Sequence, residues 1–188
     1  MIEQPPAWSL TLKSAIQADL DANLLSPIYR PEWTPANPTA GFCSVAAEAA
    51  YFLLGGPLQG WVAMVAKDPL GGTHWWLERE RSKGSPRERF DPTEEQYLIE
   101  GELPPYALGR PGGFMGQRQD PTSPFAFGRR PGHRASMLLQ RILATYAPDR
   151  EISASLIQEV RQAWHLPGFA PEPSFSQSKP SRRPRMNR

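Results

Sequence analysis

Gly41-Phe42-Cys43-Ser44-Val45-Ala46-Ala47-Glu48-Ala49-Ala50-Tyr51-Phe52-Leu53-Leu54-Gly55-Gly56 is the stretch on which the fold turns. Alanines at 46, 47, 49 and 50 favour helix. Val45, Ala49 and Phe52, with Leu53 adjacent, recur at helical spacing and form a face to be buried. Gly55-Gly56 is a C-terminal stop. The reading is a helix over 43–54 headed by Cys43. The run is too short, and with Ser44 and Glu48 too polar, to span a membrane. Its apolar face needs a partner, and the next residues supply one. Trp61–Lys67, Thr73–Glu80 and Arg87–Asp91 read as three strands, with Asp68-Pro69-Leu70-Gly71-Gly72 turning between the first two. The second run alternates, His74, Trp76 and Glu78 on one face and Trp75, Leu77 and Arg79 on the other. Three short strands in succession form an antiparallel meander most simply. The fold class is α+β, helices packed on a small antiparallel sheet.

Outward from this centre, Ser9 can cap a helix running to about Asn23, with Leu12, Ile16 and Leu20 as its apolar stripe. Four prolines between 26 and 40 make an extended loop. Asp91-Pro92-Thr93-Glu94-Glu95 opens a brief helix that ends near Glu100-Gly101. Residues 103–131, rich in Pro, Gly and Arg, read as a long loop. A helix from about His133 to Tyr146 turns Leu138, Leu139, Ile142 and Tyr146 inward, and another runs from about Glu151 to Trp164. The expected organisation is one globular domain over 1–166 and a disordered basic tail over 167–188.

Composition narrows the function classes. Proline makes up 22 of 188 residues, which excludes a coiled coil. Six Trp and eight Phe still provide material for a core. A single Cys leaves neither an internal disulfide nor a cysteine-based zinc site, and three scattered His carry no paired ligand spacing. No cofactor is expected. Met1-Ile2-Glu3-Gln4-Pro5-Pro6 lacks the pattern of a secretory signal, so the expected compartment is the cytoplasm, with no membrane partner. Net charge is +2, yet the tail alone carries Lys179, Arg182, Arg183, Arg185 and Arg188 against Glu172. The tail is thus a possible contact for nucleic acid, and the body is not.

Cys43, His74 and Asp91 are the candidate catalytic residues. Cys43 heads a helix, where the dipole and unpaired N–H groups stabilise a thiolate. His74 opens one strand and Asp91 closes the next, so all three can converge at one end of the sheet. Nucleophile, base and orienting carboxylate are what thiol-dependent acyl transfer needs. The N–H of Cys43 and the side chain of Asn37, six residues upstream, are candidate oxyanion donors. Gln96 lies one turn beyond Asp91 within reach of the site, and Trp76 is a candidate cleft wall. The competing reading is that Cys43 is a buried small hydrophobe and Asp91 a helix cap.

Gly41-Phe42-Cys43-Ser44-Val45-Ala46-Ala47, His74-Trp75-Trp76-Leu77 and Phe90-Asp91-Pro92-Thr93-Glu94-Glu95-Gln96-Tyr97 together resemble the YunG-like family of small bacterial and phage proteins. That family's order resembles in turn a compact papain-like cysteine-peptidase architecture. The resemblance covers about residues 40–97, and the charged stretch Arg81–Arg89 departs from it. It implies a Cys43–His74–Asp91 triad and a bacterial cytoplasm, the host's if the protein is phage-encoded. It implies no substrate.

The expected activity is hydrolysis or acyl transfer at an amide, isopeptide or thioester of a protein or small substrate. The alternative is a non-enzymatic phage or bacterial accessory protein that kept the fold. It would bind a partner or nucleic acid through its basic tail and Arg/Phe loop, where Phe114, Phe125 and Phe127 interleave with arginines. Arg110, Arg129 and Arg130, with Arg118 and Arg134 nearby, are candidates for holding an anionic group.

Overall fold

The structure, a computed structural model, describes residues 7–68, 72–80, 82–119 and 128–145. In chain order the elements are α1 (Ala7–Ala18), α2 (Cys43–Leu53), β1 (Val62–Lys67), β2 (Thr73–Glu80), β3 (Arg87–Phe90), α3 (Glu95–Leu98), β4 (Arg110–Pro111), β5 (Arg118–Gln119), β6 (Arg129–Arg130) and α4 (His133–Thr145). Strands β3-β2-β1-β4 form one antiparallel sheet, and β5 and β6 pair as a separate ribbon. The molecule is α+β with a small antiparallel sheet, and the meander is present.

Helix α2 is the centre. Apart from half-buried Ser44, every residue from Cys43 to Leu53 is buried, including Glu48. A helix apolar on all sides belongs inside a molecule rather than on its surface. Alanines 46, 47, 49 and 50 are fully buried, and their small side chains let β2 and α4 approach on opposite sides. Trp75 and Leu77 turn from β2 into this core, with Leu138, Leu139 and Ile142 from α4. Trp76 turns the other way, onto Met64, Ala66 and Tyr106. The expected alternation along β2 is therefore present, with both faces covered.

Helix α1 buries Leu12 and Ile16 but stops at Ala18, short of the expected Asn23. Asp21 ends it: its carboxylate accepts the Asn23 N–H at 2.7 Å and caps a separate turn over Ala22–Leu24. An Asp that can bond its own backbone two residues on favours a turn over a continuing helix. The Arg141 guanidinium then holds that carboxylate at 2.6 Å.

The described residues of 103–131 are more structured than the expected loop. They hold a helical turn at Tyr106–Leu108, strand β4 along the free edge of β1, and the β5–β6 ribbon. Glycine makes the edge pairing possible. A Cβ on Gly112 would lie 2.7 Å from Val65 Cγ1, so only glycine lets this segment lie against the sheet. Two-residue strands carry no periodicity to read in advance. The helix expected at 151–164, the tail and the inward role of Tyr146 lie outside the described residues. Among the described residues no helix is long and apolar enough to cross a membrane.

Candidate active site

Local packing places the thiol at the head of α2. The turn before it bends through Gly41 at φ 77°, where a Cβ would come within 3.1 Å of both Leu25 and Tyr29. Phe42, fully buried, anchors the turn, and its carbonyl accepts the Ala46 N–H at 2.9 Å to start the helix. Cys43 is 7% exposed, and its thiol donates to the Thr73 carbonyl at 3.2 Å. The start of β2 is thereby fixed against the start of α2.

One residue along β2 is His74, with no exposed surface. Its Nε2 lies 2.6 Å from Asp91 Oδ2. A carboxylate only accepts, so Nε2 carries the proton and Nδ1 is the acceptor of the neutral ring. Gln96 Nε2 lies 3.3 Å from that Nδ1. The imidazole is wedged between Trp76, stacked at 5.6 Å, and Tyr97, edge-on at 4.9 Å. Burial pulls the pKa of the ring down. Hydrogen bonds to Asp91 and Cys43, and the charge of both, outweigh burial and raise it from 6.5 to about 9.

Asp91 follows β3 directly and is 6% exposed. Its two oxygens have separate tasks. Oδ1 accepts the Thr93 N–H at 2.9 Å and the Thr93 hydroxyl at 3.3 Å, forming the turn into α3. Oδ2 accepts from His74 and from the Tyr106 hydroxyl at 2.9 Å. Burial, with the charges of Asp91 and Glu94, pushes the Tyr106 pKa up, so the phenol remains a donor. Helix α1 braces the segment: Lys13 Nζ pairs with Glu94 at 2.6 Å and Glu95 at 2.5 Å, and Gln17 donates to the Pro92 carbonyl at 2.9 Å.

Compared with family models, curated proteins and solved structures, the chain finds no match. The site therefore stands on its own geometry.

That geometry brings Cys43, His74, Asp91 and Gln96 together. Asn37 is close but differently employed. Its Nδ2 donates to the Gln96 carbonyl at 3.1 Å and to Glu100 Oε1 at 3.4 Å. Both amide protons are taken, so it fastens the Cys43 loop to α3 instead of offering an oxyanion donor. Trp76 is not a cleft wall either. It is fully buried behind the imidazole, with its indole N–H on Glu78 at 3.0 Å. Arg110 sits exposed on edge strand β4. Arg129 and Arg130 lie on the β5–β6 ribbon, and Arg129 reaches Gln117 at 3.2 Å. These three arginines are not among the groups touching the imidazole. Among the described residues no cluster of three or more His, Cys, Asp or Glu is placed to hold a metal ion.

Tyr106 is the site residue that sequence reasoning missed. Its sole advance signal was the Pro104-Pro105-Tyr106 run, which stiffens the chain just before the phenol. Nothing in that run names Asp91 as the partner.

Proposed function

We propose that the protein is a thiol-dependent hydrolase or acyltransferase acting on an amide, isopeptide or thioester, with Cys43 as nucleophile, His74 as base and acid, and Asp91 as orienter. One observation carries the reading: a buried imidazole that bonds Asp91 at 2.6 Å on one nitrogen, next along the strand from the Thr73 carbonyl that takes the thiol of a helix-heading cysteine at 3.2 Å. A thiol at the start of a central helix, facing a histidine on the sheet beneath it, also fits a papain-like arrangement. It fits the YunG-like resemblance as well. Both are fold-level analogies and name no substrate.

In the proposed reaction the Cys43 proton rests on His74, as the raised imidazole pKa favours, and the thiolate sulfur attacks the carbonyl carbon. Negative charge on the carbonyl oxygen falls to the first N–H groups of α2, among them that of Cys43, which have no intrahelical acceptor. His74 returns the proton to the departing amine or thiol, leaving an acyl group on Cys43. Water, or an acceptor amine in a transferase, then attacks that thioester as His74 takes its proton, and the thiol is restored. Asp91 keeps a proton on Nε2 throughout, so in this scheme proton exchange with the sulfur falls to Nδ1.

The test is acylation by a simple thioester, followed by intact-mass spectrometry of wild type, Cys43→Ala and His74→Ala. The expected result is a single acyl mass in wild type, none in Cys43→Ala, and a rate at least about 100-fold lower in His74→Ala. Equal acylation of His74→Ala and wild type would remove the base from the mechanism and favour the accessory-protein alternative.

A further inference from the structure

Gln96 rides on α3 with its side-chain amide beside the imidazole, Nε2 lying 3.3 Å from His74 Nδ1. Thr93 fixes which end of that amide is which. The Thr93 carbonyl is 2.9 Å from Nε2 and can only accept, so the group facing it is the NH2. The Thr93 hydroxyl, which donates to Asp91, accepts the second amide proton at 3.1 Å. Both protons are thus held by Thr93, and Nδ1 is left for the reaction. The backbone of Gln96 is fastened too, since its carbonyl accepts from Asn37 at 3.1 Å.

The other end of the amide is unengaged. Gln96 Oε1 makes no hydrogen bond among the described residues and stays open to solvent on a half-buried side chain. Thr73, whose carbonyl takes the Cys43 thiol, is exposed, so solvent also reaches this end of β2. The two ends of an amide lie about 2.2 Å apart, which puts Oε1 within about 5.5 Å of Nδ1. One atom at an ordinary hydrogen-bond distance of about 2.9 Å from each can bridge them. Such an atom must take a proton from Nδ1 and donate another to Oε1. A nitrogen that carries hydrogen does both.

We propose that Gln96 is the specificity-determining residue of the site: its Oε1 accepts the N–H of the scissile bond and so selects primary and secondary amides, isopeptides included, over thioesters. This rests on the reaction proposed above. There the Cys43 sulfur bonds the carbonyl carbon, and the C–N bond breaks with its electron pair going to nitrogen. The nitrogen takes its new proton from His74 Nδ1, keeps its own on Oε1 and leaves as an amine. A thioester sulfur takes the proton from Nδ1 but has none to give Gln96. An amide nitrogen without hydrogen, as in the bond before a proline, gains nothing from Gln96 either.

The probes are trifluoroacetyl-para-nitroanilide and its N-methyl analogue, activated amides that differ in the one N–H and release a coloured aniline. Rates with the full chain are divided by those with glutathione, which removes intrinsic reactivity. Wild type should favour the N–H amide at least ~5-fold beyond glutathione. Gln96→Met keeps the length of the side chain without its acceptor, and Gln96→Leu serves if Met does not fold. In either, the preference should fall to that of glutathione. A preference that survives there is one of shape and overturns the proposal. So does a wild-type preference no greater than glutathione's, or acylation of Cys43 by the simple thioester with no release from either anilide. These outcomes leave the Cys43 chemistry standing. Aniline release that persists in full in Cys43→Ala overturns both this proposal and the reaction on which it rests.

Discussion

Asp91→Asn is the sharpest perturbation of the candidate site, because the two carboxylate oxygens do different work. The amide oxygen of Asn can keep the Thr93 N–H now held at 2.9 Å, so the turn into α3 survives. At the Oδ2 position an amide NH2 would replace an acceptor and face two donors, His74 Nε2–H and the Tyr106 hydroxyl. Tyr106 can turn its proton to Glu94 Oε2 at 3.1 Å and accept from the new amide. His74 has no such escape: its Nε2 proton would meet a donor, so the doubly protonated ring that Asp91 supports is disfavoured. The imidazole pKa, raised from 6.5 to about 9 in the intact site, should fall below 6.5, since burial then acts against one fewer opposing charge. A shift from 6.5 to about 9 corresponds to something on the order of 3 kcal/mol, with the bond to Asp91 first among the causes that raise it. At pH 7 the protonated ring drops from about 99% of molecules to under ~25%. With that loss, alkylation of Cys43 by iodoacetamide at pH 6–7 should slow at least ~10-fold. Imidazole NMR reads the pKa directly. The reasoning fails if the wild-type ring titrates at or below 6.5, or if a folded Asp91→Asn protein alkylates at the wild-type rate.

Other consequences follow from the same contacts. Burial raises the Glu48 pKa from 4.5 to about 7, partly opposed by the Gly132 N–H at 2.9 Å and the charge of Arg134. A carboxyl whose folded pKa is raised stabilises fully below its unfolded value, and that contribution is lost as pH rises from 4.5 to 7. Urea midpoints of wild type against Glu48→Gln should therefore converge below that window and diverge across it by on the order of 3 kcal/mol in favour of Gln; a constant difference refutes the titration. The raised His74 pKa has the same sign: its contribution is complete below 6.5 and lost as pH rises through about 9, so His74→Gln should flatten the stability profile in that window only. Tyr106→Phe strips a donor from Asp91 Oδ2 and Glu94 and should cost about 1–3 kcal/mol in chemical denaturation; a neutral result would mean that water replaces the phenol. Gly41→Ala puts a methyl 3.1 Å from Leu25 and Tyr29 at a φ of 77°. It should cost about 1–3 kcal/mol and also slow Cys43 alkylation, whereas a purely local strain would leave the alkylation rate unchanged.

How far the fold was legible depended on the range of the interactions that make each part. Helix α2, strands β1 to β3 and the first residues of α4 are written in local spacing, and they appear within a residue or two of where spacing puts them. Cys43, His74, Asp91 and Gln96 were legible for the same reason: each sits at the beginning or end of an element whose pattern is strong, and a meander brings such ends together. Failures occur where a distant partner decides. Asn37 has the right chemistry for an oxyanion donor, but the Gln96 carbonyl 59 residues away takes its proton first. Trp76 could have faced solvent, had Gly109 not let the chain close over it; a Cβ at Gly109 would lie 2.4 Å from the indole. Tyr106 enters the site through the same closure. Gly109 and Gly112, which read as signs of a loop, are what let residues 109–112 lie close against Trp76 and the edge of β1, just after the turn that delivers a phenol to Asp91. A buried Cys–His–Asp set needs such a cover for physical reasons. Without it, water would screen the Asp91 charge, and the pairing that outweighs burial and holds the His74 pKa near 9 would weaken.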